Sequence, residues 1–209
     1  QRRLLNYVRS QQNADGGWPT YKHGSSDPNA TVKAYFALRL GGFTENDACV
    51  RLARQRILQF GGIDVCNSYT KFYLAIFGQY DWKKLPCMLP EIMLLPQSPK
   101  LLNLYKISAW TRTIVVPMLI IYALRPRVNT SFSLKDLILP YSPPGATSLK
   151  NGFWRAFFKA ADRIMALYDS FGVRWIRRIA LKKCLSWMLE RMKPPGGLGA
   201  IYPPMLNSI

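Results

Sequence analysis

Apolar residues recur along this chain at helical spacing, and glycine or proline punctuates almost every run. Within 2–12, Leu4, Leu5 and Val8 share a face, and Asn13-Ala14-Asp15-Gly16-Gly17 ends the run, which predicts a first helix. Asp27-Pro28 combines a capping carboxylate with a proline at the first helical position, so a second helix runs to Leu40 and stops at Gly41-Gly42. Ala48 to Phe60 repeats the pattern before Gly61-Gly62, with Arg51, Arg54 and Arg56 mainly on its outer face. A fourth helix is capped by Asn67 or Ser68 and ends at Phe77 before Gly78.

The next stretch is different. Between Tyr80 and Lys100, Pro86, Pro90, Pro96 and Pro99 leave room only for a short helix, Pro90 to Leu95. Tyr105 to Leu124 predicts a long apolar helix kinked near Pro117. Residues 128–150 read as an internal Pro-rich loop with one helical turn at Leu134 to Leu139. Helices over Gly152 to Asp169 and Val173 to Met192 follow, then a turn at Gly196-Gly197-Leu198-Gly199. No alternating strand pattern of useful length appears, so the fold class is all-α, built from helix pairs.

Composition narrows the partners. A chain of 209 residues that is 49% hydrophobic and 13% aromatic can form a core, which excludes disorder. Fifteen Pro and fourteen Gly without a period exclude collagen-like and coiled-coil chains. The net charge of +18 calls for an anionic partner: a membrane surface, a nucleic acid or an acidic protein. From Lys150 to Lys193 eleven basic residues face three acids, a local charge of +8. Phe153, Trp154, Phe157 and Phe158 fall on one face in that stretch. Exposed, this face would dip into an anionic lipid interface; packed, it would be core with a solvated charged rim. A nucleic-acid partner would use the same residues, but no helix-turn-helix, RRM or zinc pattern supports one.

Cys49, Cys66, Cys87 and Cys184 form no CxxC pair and have only His23 to join them, so zinc spacing is absent and no metal or cofactor is expected. Four reduced thiols in a cytosolic protein are the default. The longest charge-free apolar run, Ile114 to Leu124, is eleven residues with Pro117 inside, short of the roughly twenty a spanning helix needs. The chain opens on Gln1 rather than Met and closes on what reads as the start of an apolar helix, which leads us to expect a fragment of a longer protein.

Two helix ends resemble each other. Tyr7-Val8 is followed at fixed spacing by Gln12, Gly16 and Trp18, and Trp187-Met188 at the same spacing by Met192, Gly196 and Leu198. A glutamine at a helix C-terminus can bond free backbone groups of the following turn. A tryptophan after the glycines can stack over that amide and tie the turn to the next helix.

The first copy is a complete QW motif, and the chain resembles bacterial squalene–hopene cyclases, members of the triterpene cyclase family. The resemblance is carried by DGGW (Asp15 to Trp18), ATVKAYFALRLGG (Ala30 to Gly42), YTKFYLAIFGQYDW (Tyr69 to Trp82), PEIMLLP (Pro90 to Pro96), SAWTRTIVVP (Ser108 to Pro117), LERM (Leu189 to Met192) and GGLGAIYPPM (Gly196 to Met205), in order. It implies an incomplete α/α-barrel, with residues 1–209 part of the N-terminal or inserted barrel domain. It also implies a peripheral, monotopic enzyme on the cytoplasmic face of the bacterial inner membrane, with an apolar channel from the bilayer. The enzyme would cyclise squalene to hopene or hopanol, started by a DxDD aspartic acid, and could form a homodimer. No two aspartates here lie within two positions of each other, so the DxDD acid is absent and the 209 residues alone are expected to be inactive. An oxidosqualene cyclase fragment, or a non-catalytic helical module binding lipid or an acidic partner, are the alternatives.

The same resemblance implies site residues. Trp110 matches a cavity-lining tryptophan, whose π face can stabilise a passing carbocation without offering a nucleophile. Ile201, Tyr202 and Pro203 match the segment bordering the end of the cavity where the reaction stops, with Tyr202 where many members carry Gln. Tyr69, Tyr73 and Asn67 lie on a helix that presents aromatic and polar groups to the cavity. Against these stand ordinary roles: core packing for the aromatics, capping for Asn67, a helix start for Pro203. Lys33 occupies a place where some relatives carry Glu, and a solvated lysine is the stronger reading. His23 reads as a solvated loop histidine, and Glu91 as an acid favoured by a helix start.

Overall fold

The computed structural model describes residues 1–98, 103–139, 160, 163, 165, 167–169, 173–192, 198–199 and 202–208. They are helical throughout apart from turns and one isolated bridge between Pro19 and Ser26, as the periodicity predicts. The helices are α1 (Arg2–Ser10), α2 (Pro28–Leu40), α3 (Ala48–Phe60), α4 (Ser68–Ile76), α5 (Ala109–Leu124), α6 (Arg174–Met192) and α7 (Tyr202–Asn207). The caps follow the sequence. Asp27 accepts the Ala30 N–H at 2.9 Å, and Asn67, rather than Ser68, caps α4 by accepting the Thr70 N–H at 2.9 Å.

The chain forms two compact units. The first is Gln1–Leu85 with Arg127–Ser148, and the second Pro86–Pro126 with Leu149–Ile209. In the first, Val32, Tyr35 and Leu38 of α2 are buried, as are Val50, Ala53 and Ile57 of α3 and Phe72 and Leu74 of α4. Each buried Val, Leu, Ile or Phe among them contributes about 1.5–3 kcal/mol by leaving water. In the second, Val116 and Leu119 of α5 pack with Cys184, Trp187 and Met188 of α6, together with Met93, Leu104 and Leu198.

Three expectations are corrected. The first helix stops at Ser10, and none of its residues is buried; Leu4 is 71% exposed. The predicted helix from Tyr105 is broken. Leu104–Lys106 is a 3-10 turn, and α5 starts only at Ala109, because Ser108 Oγ accepts the Thr111 N–H at 3.1 Å and caps a new helix. The helix at Pro90 is a 3-10 helix, Pro90–Leu94.

The loop from 128 has the predicted form over its described residues. As far as Leu139 it is a strap fixed to the first unit, with a 3-10 turn at Lys135–Leu137 inside the predicted Leu134–Leu139 turn. Gln79, buried at 6% exposure, donates from Nε2 to Thr130 Oγ1 at 2.6 Å and to Phe132 O at 3.1 Å, and its Oε1 accepts the Leu134 N–H at 2.7 Å. Leu134 and Leu137 then bury completely. Residues 140–150 and most of the predicted Gly152 to Asp169 helix lie outside the described residues.

Candidate functional site

The turn after α1 is built from the glutamine and tryptophan singled out by spacing. Gln12 Nε2 donates to Gly16 O and to Cys49 O, both at 2.9 Å, so one amide joins its own turn to α3. Trp18, 5% exposed, donates from Nε1 to Val8 O at 2.6 Å and from its backbone N–H to Thr31 Oγ1 at 3.0 Å. The tie to α2 therefore runs through hydrogen bonds. Gly16 has φ +85, and a Cβ there would lie 2.6 Å from Leu52 O, so only glycine fits. Asp15 is held below the usual carboxylate range first by the Ser26 hydroxyl, with help from the Gly17 N–H and Arg56.

Tyr69 and Tyr73, predicted to share a face, touch: their rings meet edge-on at 4.8 Å, and the Tyr73 hydroxyl donates to that of Tyr69 at 2.7 Å. Both are half-buried beside fully buried Phe72. Asn67 is exposed, and its N–H donates to Asn29 Oδ1 at 2.8 Å, joining the starts of α2 and α4. Lys33 and His23 are exposed, as the bland readings have it. His23 adopts φ +62 in its turn.

In the second unit, Trp110 stands on the first turn of α5 with 59% of its surface exposed, so it is not a core tryptophan of this unit. Pro203 lies in the first turn of α7. Ile201, the Tyr202 side chain, Phe153, Trp154, Phe157 and Phe158 lie outside the described residues.

One concavity of this unit was not predicted. A cavity of about 540 Å³ is lined by Met88, Ile92, Leu104, Val115 and Leu119, with Tyr168 and Glu91 among the few polar groups. Its walls come from separated segments, which spacing within a single helix cannot reveal. The signal that could have found it is the proline-spaced apolar run Met88 to Leu95 with one acid inside it.

Glu91 is better explained by an ion pair than by a helix start: Arg177 Nε donates to its Oε1 at 3.0 Å. Arg177 also donates to Asp169 Oδ1 at 2.7 Å, and Asp169 pairs in turn with Arg125. Burial pushes the Cys184 thiol up to about 11 and the Tyr122 hydroxyl to about 12, and in the first unit it raises Cys66 to about 12, so these groups are neutral packing elements at physiological pH. Cys49, Cys66 and Cys184 are free thiols. Among the described residues no His, Cys, Asp and Glu cluster could hold a metal, and no helix is long and apolar enough to cross a membrane.

The profile of the squalene-hopene cyclase N-terminal domain matches residues 1–209. The chain belongs to this family. A squalene–hopene cyclase of Zymomonas mobilis is 35% identical over 97% of the chain, and one of Bradyrhizobium diazoefficiens 36% identical over 99%. A squalene-hopene cyclase of the yeast Schizosaccharomyces japonicus is 34% identical over 100%. The chain spans 31%, 32% and 32% of these proteins, about a third of their length. The stretches that carried the resemblance now fall on identifiable parts of the fold: DGGW on the stapled turn, PEIMLLP on the cavity wall, and SAWTRTIVVP on α5.

Proposed function

We propose that these 209 residues act within a squalene–hopene cyclase as wall and apolar passage for squalene, and not as the source of the initiating proton. The observation that carries this is the 540 Å³ cavity, whose lining is almost wholly aliphatic and sulfur-containing, in a chain of this family. An apolar chain gains about 25 cal/mol per Å² on entering such a site, and the site offers almost no polar group that would lose water. Trp110, Tyr69 and Tyr73, with Ile201, Tyr202, Pro203 and Asn67, belong to the substrate-facing surface of an α/α-barrel. Exposed Trp110 and the half-buried tyrosine pair supply π faces for positive charge, while the DxDD acid is absent from the sequence.

Membrane contact is part of the same reading. Squalene is delivered from a bilayer, and the protein rests peripherally on anionic lipid through Phe153, Trp154, Phe157 and Phe158. The outer face of α6 supports this: Trp175 and Ile179 are 63% and 47% exposed, beside exposed Arg174, Arg178, Lys182 and Lys183.

The test is conversion of squalene to hopene and hopanol by the protein encoded by the complete reading frame. The wild type is expected to form product, Ile92→Trp to lose most of it by filling the cavity, and the 209-residue chain to form none. Activity of the full protein on oxidosqualene but not squalene would overturn the substrate assignment, and hopene formed by the 209 residues alone would overturn the division of labour.

A further inference from the structure

Partly buried charges of the second unit converge on one side chain. Arg177 of α6 uses two edges of its guanidinium, Nε to Glu91 at 3.0 Å and the terminal nitrogen to Asp169 at 2.7 Å. The three side chains are 21%, 13% and 12% exposed, so water screens them little. The two carboxylates come from different segments of the unit, one lining the apolar cavity and one next to a residue that does. Glu91 lines it from the 3-10 helix Pro90–Leu94, with Met88, Ile92 and Leu95. Asp169 directly follows Tyr168, which lines it together with Met165.

Stability does not account for such a cluster. Burying an arginine and two carboxylates costs desolvation that their attraction only about offsets, and an apolar trio of similar volume would hold the unit at least as well. Here the cost is higher still, because Glu91 Oε2 and one terminal nitrogen of Arg177 are buried without a hydrogen-bond partner among the described residues. What a planar fork does supply is a fixed spacing between two carboxylates, which neither a flexible ammonium nor an apolar contact can set.

We propose that Arg177 is a positioning residue that sets the opening of the apolar cavity, holding the wall of Glu91 and Ile92 at a fixed distance from the wall of Met165 and Tyr168 so that an extended apolar chain is admitted. The inference rests on the cavity being squalene's route. Arg177 touches no reacting atom, so its loss acts on admission rather than on the cyclisation steps.

The test uses the full-length protein and two readouts: steady-state turnover of squalene, and binding of diphenylhexatriene, an uncharged rod-like apolar fluorophore, without turnover. Arg177→Met is expected to raise KM about tenfold with kcat within about twofold, the split that marks lost binding rather than lost transition-state contact. Arg177→Lys, which keeps one of the two ion pairs, should recover KM to within about threefold of wild type. Glu91→Gln leaves the Arg177–Asp169 pair in place and serves if Arg177→Met does not fold, with an expected rise of about fivefold. The exposed Arg54–Asp136 pair of the first unit is the control, because Arg54→Met should leave KM unchanged.

A folded Arg177→Met protein with wild-type KM and wild-type probe affinity overturns the proposal. So does a fall in kcat that tracks melting temperature across Arg177→Met, Glu91→Gln and Arg54→Met. If the wild type does not turn over squalene, the functional reading fails, and the probe dissociation constant alone decides the clamp by the same fold-changes.

Discussion

The residues that match across the two copies of the shared spacing are held by different physics. In the first, Gln12 makes hydrogen bonds to two carbonyls, Trp18 is bonded through its ring nitrogen, and Tyr7 is left 64% exposed. In the second, the residue matching Tyr7 is Trp187, 6% exposed in the core, with Arg191 over its ring at 4.0 Å. Met192 replaces the glutamine and packs against the same apolar cluster, and Leu198, in place of Trp18, is completely buried. The residues about the first turn are tied by directional bonds to backbone, whereas the described residues on either side of 193–197 are held by burial in an apolar cluster. A shared spacing in sequence does not fix what holds the residues that carry it.

That contrast can be broken by substitution in the full-length protein, followed by urea unfolding. Gly16→Ala is expected to cost most, about 3–4 kcal/mol, because a positive φ and a backbone carbonyl both oppose a side chain. Gln12→Leu should follow at about 2–3 kcal/mol, since Gly16 O and Cys49 O lose their donor while remaining partly buried. Gly199→Ala should cost only about 1–2 kcal/mol, although its φ is also positive, because the near atom is the Thr113 hydroxyl, which can rotate away. Met192→Gln sharpens the comparison: an amide at an apolar contact should destabilise by about 1 kcal/mol, whereas a turn closed like the first would be stabilised.

High pH should weaken both units. Cys66 and Cys184 are raised from 9.0 to about 12 and about 11, so the native state keeps protons that the unfolded chain has released. Their contribution is complete below pH 9, falls as pH rises through the window between the unfolded and native values, and is lost above it. Thermal melting from pH 8 to 11 should show this decline, and Cys66→Ala with Cys184→Ala should flatten it.

Much of the scaffold was legible because its signals are local. Asp27-Pro28, Asn67 and the glycine pairs mark helix ends wherever the chain goes, since capping needs only residues a few positions apart. The QW spacing likewise revealed the stapled turn, although the carbonyl of Cys49 as a partner of Gln12 did not follow from it. The α1 face misled, because periodicity reports that a helix is amphipathic, not that anything covers it. The 128–139 segment is the predicted loop with one helical turn, but its anchor, Gln79, was hidden because it lies about fifty positions away. Trp110 and the Tyr69–Tyr73 pair were found through the resemblance; the Arg177 cluster was not, since Glu91, Asp169 and Arg177 carry no shared motif.

The sequence by itself determined the helical class, most helix boundaries, the stapled turn and the family, all of which rest on spacing and on order along the chain. Only the tertiary structure decided the division into two units, the capture of 128–139, the apolar cavity and the clamp on its walls. Each of these depends on groups far apart in sequence meeting in space, where burial removes competing water and gives their interactions direction and strength.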